Sequence, residues 1–160
     1  MTATTAQSVG QVEWFTWENH RKDVWNIEQR AFPGNGMNYE ELGACIRDRH
    51  NAARVLLIHG EVMGYVIERF HPDSVEILTM AVEPAFHRFG SGTVLMNNCK
   101  TRARHNPVKR RFIETTVSEE NVSAQLFLQS CGFRYVQTVR GGFTSYGRTA
   151  DGYQFSWKVR

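Results

Sequence analysis

Apolar residues recur along this chain with two periods, and the changes of period mark its elements. Val24, Ile27 and Ala31 share one face of a helix predicted over 19–32, and Pro33-Gly34-Asn35-Gly36 then breaks the pattern. Asn38 with Glu41 three residues on signals a second, shorter helix that carries Leu42, Cys45 and Ile46 on one side and ends before Asn51. The spacing then shifts toward that of strands. Residues 55–59 and 62–70 are rich in β-branched and aromatic types and flank Gly60-Glu61, which predicts a hairpin, and 74–82 adds a third strand after His71-Pro72-Asp73. Residues 12–17 are a further candidate strand.

After Pro84 the helical period returns. Gly90-Ser91-Gly92 opens into 93–104, where Leu95, Cys99 and Ala103 form a stripe. Residues 112–117 read as a strand, and Asn121 caps a helix that stops at Gly132, a natural left-handed position. Residues 133–139 and 153–159 close the sheet as antiparallel partners. Two helices, a meander, then βαβαβ and a last strand, with no repeat or linker, predict one α/β domain over 1–160 with a mixed sheet, residues 1–10 being flexible.

Composition narrows the function. A length of 160 residues with 41% hydrophobic content is enough for a real core. Residues 1–10 have neither the basic start nor the apolar run of a signal peptide, and no stretch reaches spanning length, so a soluble, cytoplasmic protein with no membrane partner is expected. Cys45, Cys99 and Cys131 suit neither a disulfide framework nor a CxxC metal site, and the six histidines have no metal spacing, so no metal is expected. Cys131 has no histidine nearby in sequence and is not read as a nucleophile. The formal charge of +3 is too diffuse for a nucleic-acid partner but suits a small anionic one. The basic run Arg102, Arg104, His105, Lys109, Arg110 and Arg111 reads as a solvated helix end, and Trp14, Trp17 and Trp25 as aromatics packing the first helix onto the sheet.

The segment His87-Arg88-Phe89-Gly90-Ser91-Gly92 lies where a strand has ended and a helix begins. A helix start leaves backbone N–H groups unpaired and carries roughly half a positive charge, so it binds phosphate wherever the backbone can approach, as glycines at 90 and 92 allow. A helix-entry loop with glycines for tight packing is the alternative. The third glycine of a dinucleotide fingerprint and the Gly-Lys-Ser/Thr of a Walker loop are both missing.

The run from Ile77 to Pro84, followed by His87 to Gly92, resembles the acetyl-CoA motif of the GNAT acetyltransferases, written Gln/Arg-x-x-Gly-x-Gly/Ala, with His87 as a departure. Asn121, Ala124, Phe127 and Cys131-Gly132-Phe133 resemble that family's second motif, and the likeness covers nearly the whole chain. It implies a GNAT-like mixed sheet, largely antiparallel, with a central splayed parallel pair. It implies that Met80, Ala81 and Val82 pair with pantetheine, that Arg88, Phe89, Gly90, Ser91, Gly92 and Thr93 hold the pyrophosphate, and that Asn121 touches acetyl-CoA beyond it. The basic run would at best reach the cofactor's 3′-phosphate.

The implied activity is direct acetyl transfer to a primary amine of a protein N-terminus, a lysine or a small molecule, by a monomer or homodimer. The alternative is a non-catalytic acyl-CoA-binding or regulatory module. Transfer needs a neutral amine, a polarised carbonyl and a proton for the thiolate. Glu76, in an otherwise apolar strand four residues before Met80, is the candidate base, its carboxyl expected to be raised by apolar neighbours, with Glu114 as the alternative. By resemblance, the Val82 N–H would polarise the carbonyl. Residues 27–33 are similar to the ribosomal-protein N-terminal acetyltransferase branch, but its catalytic glutamate and tyrosine positions hold Thr116 and Leu128 here. Tyr135 and Tyr146 are the candidate acids, with solvent as the other source.

Overall fold

The computed structural model describes residues 10–34, 36–86, 90–145 and 148–160. In chain order they form β1 (Gln11–Trp14), α1 (Trp17–Ala31), α2 (Tyr39–Arg47), β2 (Asn51–Ile58), β3 (Glu61–Phe70), β4 (Ser74–Val82), a short 3-10 turn (Pro84–Phe86), α3 (Ser91–His105), β5 (Phe112–Ser118), α4 (Val122–Ser130), β6 (Arg134–Ser145) and β7 (Arg148–Lys158). The strands make one sheet in the order β1-β2-β3-β4-β5-β7-β6, antiparallel except for the central β4–β5 pair.

The period-two alternation sorts side chains to two faces. On one, Val55, Tyr65, Ile67 and Ala81 meet Val24 and Ile27 of α1 and Leu42 of α2. On the other, Leu56, Val66, Ile77 and Ile113 meet Leu95, Met96 and Cys99 of α3 and Leu128 of α4. Each fully buried aliphatic side chain contributes about 1.5–3 kcal/mol, which holds both helical layers to the sheet. Helix α2 begins as predicted: the Glu41 N–H donates to Asn38 Oδ1 at 2.8 Å and the Asn38 N–H to Glu41 Oε2 at 3.2 Å.

The structure departs from the sequence reading at several points. The β2–β3 turn falls at His59-Gly60, one residue early, both residues having left-handed φ values of 52° and 77°. The last hairpin runs far past 133–139 and 153–159, because after a register shift between Val139 and Phe143, which contains Gly141 and Gly142, pairing resumes at Phe143↔Ala150 and runs to Ser145↔Arg148. Trp14 does not pack the first helix: it is 62% exposed on an outer strand, and the Arg54 guanidinium lies 3.9 Å from its ring centre. No helix among the described residues is long and apolar enough to cross a membrane.

Candidate active site

The parallel ladder between β4 and β5 runs from Ser74↔Phe112 to Ile77↔Thr115 and stops, and beyond it the strands part into a fork. Two features open it. Opposite β3 the register jumps from Ile67↔Thr79 to Glu68↔Ile77, so Leu78 is a bulge that bends β4 at that point. The Thr115 hydroxyl donates to the Ile77 carbonyl at 3.0 Å, closing the crotch with a side chain. Met80, Ala81 and Val82 lie along the β4 arm, as an extended ligand between the strands requires.

Helix α3 starts beside this fork. Its N-cap is Gly90 with φ 76°, which supplies no capping side chain, and a Cβ built there meets nothing within 4 Å. The first-turn amides of Ser91, Gly92 and Thr93 therefore lie at an open, positively polarised helix end suited to phosphate. Gly92 serves a different purpose. A Cβ on it would stand 3.3 Å from the Phe127 ring, so this glycine lets α3 close onto α4, and the packing alternative holds there. Asn121 starts α4 by accepting the Ala124 N–H at 3.1 Å. Arg88 and Phe89, and the candidate acid Tyr146, lie outside the described residues.

Glu76 and Glu114 are direct partners one rung before the ladder ends and the fork opens, facing away from α3. The environment of Glu76 is not the apolar one expected. Its side chain is 38% exposed and its Oε2 sits 3.1 Å from His71 Nε2, because the apolar cover on that face begins only at Leu78. Tyr135 is not brought to the fork. It lies on the outer strand β6, two strand spacings or about 10 Å from β5, with its hydroxyl 2.5 Å from Thr138 Oγ1. Leu128 is buried in the core, and Thr116 faces Gln154 across β5 and β7.

The basic run is also re-placed. A 15-residue helix is about 22 Å long, so Arg102 and His105 at the end of α3 stand far from its first turn, where phosphate is expected, and do not reach a 3′-phosphate there. Nor is the run merely solvated: Arg104 lies over Trp157, Arg110 donates to the His71 carbonyl at 2.6 Å, and Arg111 pairs with Asp73 at 2.7 Å. Burial raises the Cys131 thiol, in keeping with an inert cysteine.

The sequence reading missed one polar chain. Glu28, 2% exposed on the inner face of α1, accepts the Met37 N–H at 3.0 Å and the Tyr65 hydroxyl, and that hydroxyl lies 3.3 Å from Thr79 Oγ1 on the β4 arm of the fork. Burial pushes the Glu28 carboxyl up, and the Met37 N–H pulls it partly back. Its signal was available: Glu28 stands four residues after Val24 and next to Ile27, on the apolar stripe itself.

Comparison with known proteins follows the same lines. Residues 11–133 match the model of the acetyltransferase (GNAT) family. No curated protein sequence matches the chain. Among solved structures, the ribosomal-protein-S18-alanine N-acetyltransferase from Escherichia coli superposes with a TM-score of 0.80 at 17% identity, over 94% of each chain. Ard1 from Thermoplasma volcanium gives 0.81 at 20%, over 95% of this chain and 99% of that one. The spermidine N-acetyltransferase from Vibrio cholerae, solved with CoA and spermine, gives 0.76 at 17%, over 95% and 96%. At such identities these likenesses speak for the fold, and the family match, covering well over half of the sequence, places the chain in the GNAT acetyltransferase family.

Proposed function

We propose that this protein transfers an acetyl group from acetyl-CoA directly to the primary amine of a protein or a small molecule. The observation that carries the reading is the forked β4–β5 pair beside the open, glycine-capped start of α3. The amides of residues 90–93 hold the pyrophosphate, the backbone of Met80, Ala81 and Val82 orients the pantetheine arm, and the Val82 N–H polarises the thioester carbonyl. Asn121 keeps its amide group beside the same ligand. Acetyl-CoA supplies the activated acetyl group, and this chain's task is to align an amine with it and manage two protons.

Glu76 takes the proton from the incoming ammonium, through water, with its neighbour Glu114 as the alternative acceptor. Both carboxylates share the face opposite α3 and α4. Because Leu128 stands where the N-terminal acetyltransferase branch has a tyrosine, the thiolate takes its proton from solvent or from Tyr146. The named neighbours include acetyltransferases for a ribosomal-protein alanine and for spermidine, which supports an amine acceptor without choosing between protein and polyamine.

The test is acetyl-CoA-dependent thiol release with N-terminal peptides, lysine peptides, polyamines and aminoglycosides, each product checked by mass spectrometry. Acetylation of at least one amine class is expected. Tight acetyl-CoA binding with no transfer to any of them would instead identify a non-catalytic acyl-CoA-binding module.

A further inference from the structure

At the far end of α3 lies a cavity that acetyl transfer does not use. It has a volume of about 270 Å³, and its walls include Arg54, Glu68, Phe70, Arg102, His105 and Arg110. The charges inside are unbalanced. Glu68 is the one carboxylate of the lining, it is 2% exposed, and it already accepts from Arg102 Nη2 and, at 3.6 Å, from the Cys99 thiol. Arg54 Nη1 stands 3.8 Å from the same oxygen, within ion-pair range but too far for a hydrogen bond, and is buried with no hydrogen-bond acceptor among the described residues.

A buried guanidinium N–H left without an acceptor is costly, and arginine cannot relieve the cost by losing its proton. Burial first and the adjacent Arg102 charge second push Arg54 below its ordinary value, and Glu68 pulls it partly back. The group is nevertheless held in place by stacking on Trp14. Arg110 brings another cation to the lining, fixed by its bond to the His71 carbonyl and by the Phe70 ring 5.1 Å away.

We propose that this cavity is a binding site for a small oxyanion of the phosphate class, held by Arg54, Arg102 and Arg110 and separate from the acetyl-CoA cradle. Three guanidinium groups against one carboxylate leave an excess of two positive charges, which a phosphate dianion cancels. The recess accepts such an ion or a phosphate monoester, whereas a nucleic-acid strand needs an open basic face.

The experiment titrates CoA-saturated protein with inorganic phosphate at constant ionic strength, following the heat of binding and the unfolding midpoint. CoA keeps phosphate out of the cradle, and its own binding isotherm reports separately on that cradle. One phosphate per chain and a raised midpoint are expected. Gly90→Val should leave phosphate binding intact, and Arg54→Gln should weaken it at least tenfold. Arg110→Gln, farther from Glu68, should weaken it as well, and it decides the matter if Arg54→Gln does not fold. No phosphate effect beyond matched chloride, or undiminished binding in the folded arginine variants, overturns the site. Binding of a single-stranded oligonucleotide without binding of phosphate overturns it too.

Discussion

The two faces of the sheet each bury a glutamate, and strand β3 serves both, yet the two carboxyls live under opposite electrostatics. Glu68 points toward α3 and is met by Arg102 and Arg54, whereas Glu28, under α1, receives a tyrosine hydroxyl and a backbone N–H. Removing a carboxyl that sits among buried cations strands those cations. A carboxyl among neutral donors can be protonated at small cost. The difference separates structural from chemical polarity: the α3 face sets its carboxylate among cations, and the proton transfers proposed above fall on the α1 face, where Glu76, Glu114 and Thr79 also lie.

Breaking this contrast should have its largest effect on the α3 side. Glu68→Ala leaves two guanidinium groups inside the protein and should lower unfolding free energy by about 3–5 kcal/mol in urea titrations, as breaking a buried pair does. On the opposite face, Glu76→Gln should lower turnover about 10²-fold while acetyl-CoA affinity holds, and near-normal turnover across pH would move the proton-accepting role to Glu114 or solvent. Gly90→Val requires a β-branched residue at φ 76° and places a side chain where phosphate would lie. It should weaken acetyl-CoA binding about tenfold by calorimetry in a folded protein.

The smallest effect concerns Glu28. Its folded carboxyl binds a proton more readily than the unfolded one, so its contribution to stability is complete below the ordinary glutamate range and is lost as pH rises through the raised value. Glu28→Gln, which keeps an acceptor for Met37, should change stability by less than about 1 kcal/mol at acid pH and flatten that decline. An unchanged pH profile in the variant would show that Glu28 does not titrate in this range.

Much of the fold could be read from local chemistry, because its signals lie close together in sequence: the Asn38–Glu41 box, the Asn121 cap, and the strand over 74–82. The last hairpin could be read only in part: its pair 133–139 and 153–159 was legible, while the glycines and exposed polar residues beyond hide the continuation to Ser145↔Arg148. At the site, two glycines marked the start of α3 in the sequence, but only the structure separates Gly90, where a side chain would meet open space, from Gly92, which makes room for Phe127. Glu28, Tyr65 and Thr79 are 37 and 14 residues apart along the chain, a separation no spacing rule covers. The basic run was conspicuous and misplaced, because its nearness to the helix stripe in sequence says nothing about which end of the helix it decorates.

The hydroxyl of Thr115 ends the β4–β5 ladder by taking the carbonyl that another rung would engage. The fork therefore behaves as a zipper with a fixed stop, and the stop is a ruler: it sets how far a linear ligand can thread between the strands. A valine at this position, similar in shape but with nothing to donate, would free that carbonyl and let the zipper close further. The chain would then measure out a shorter ligand, with every group on its framework still in place.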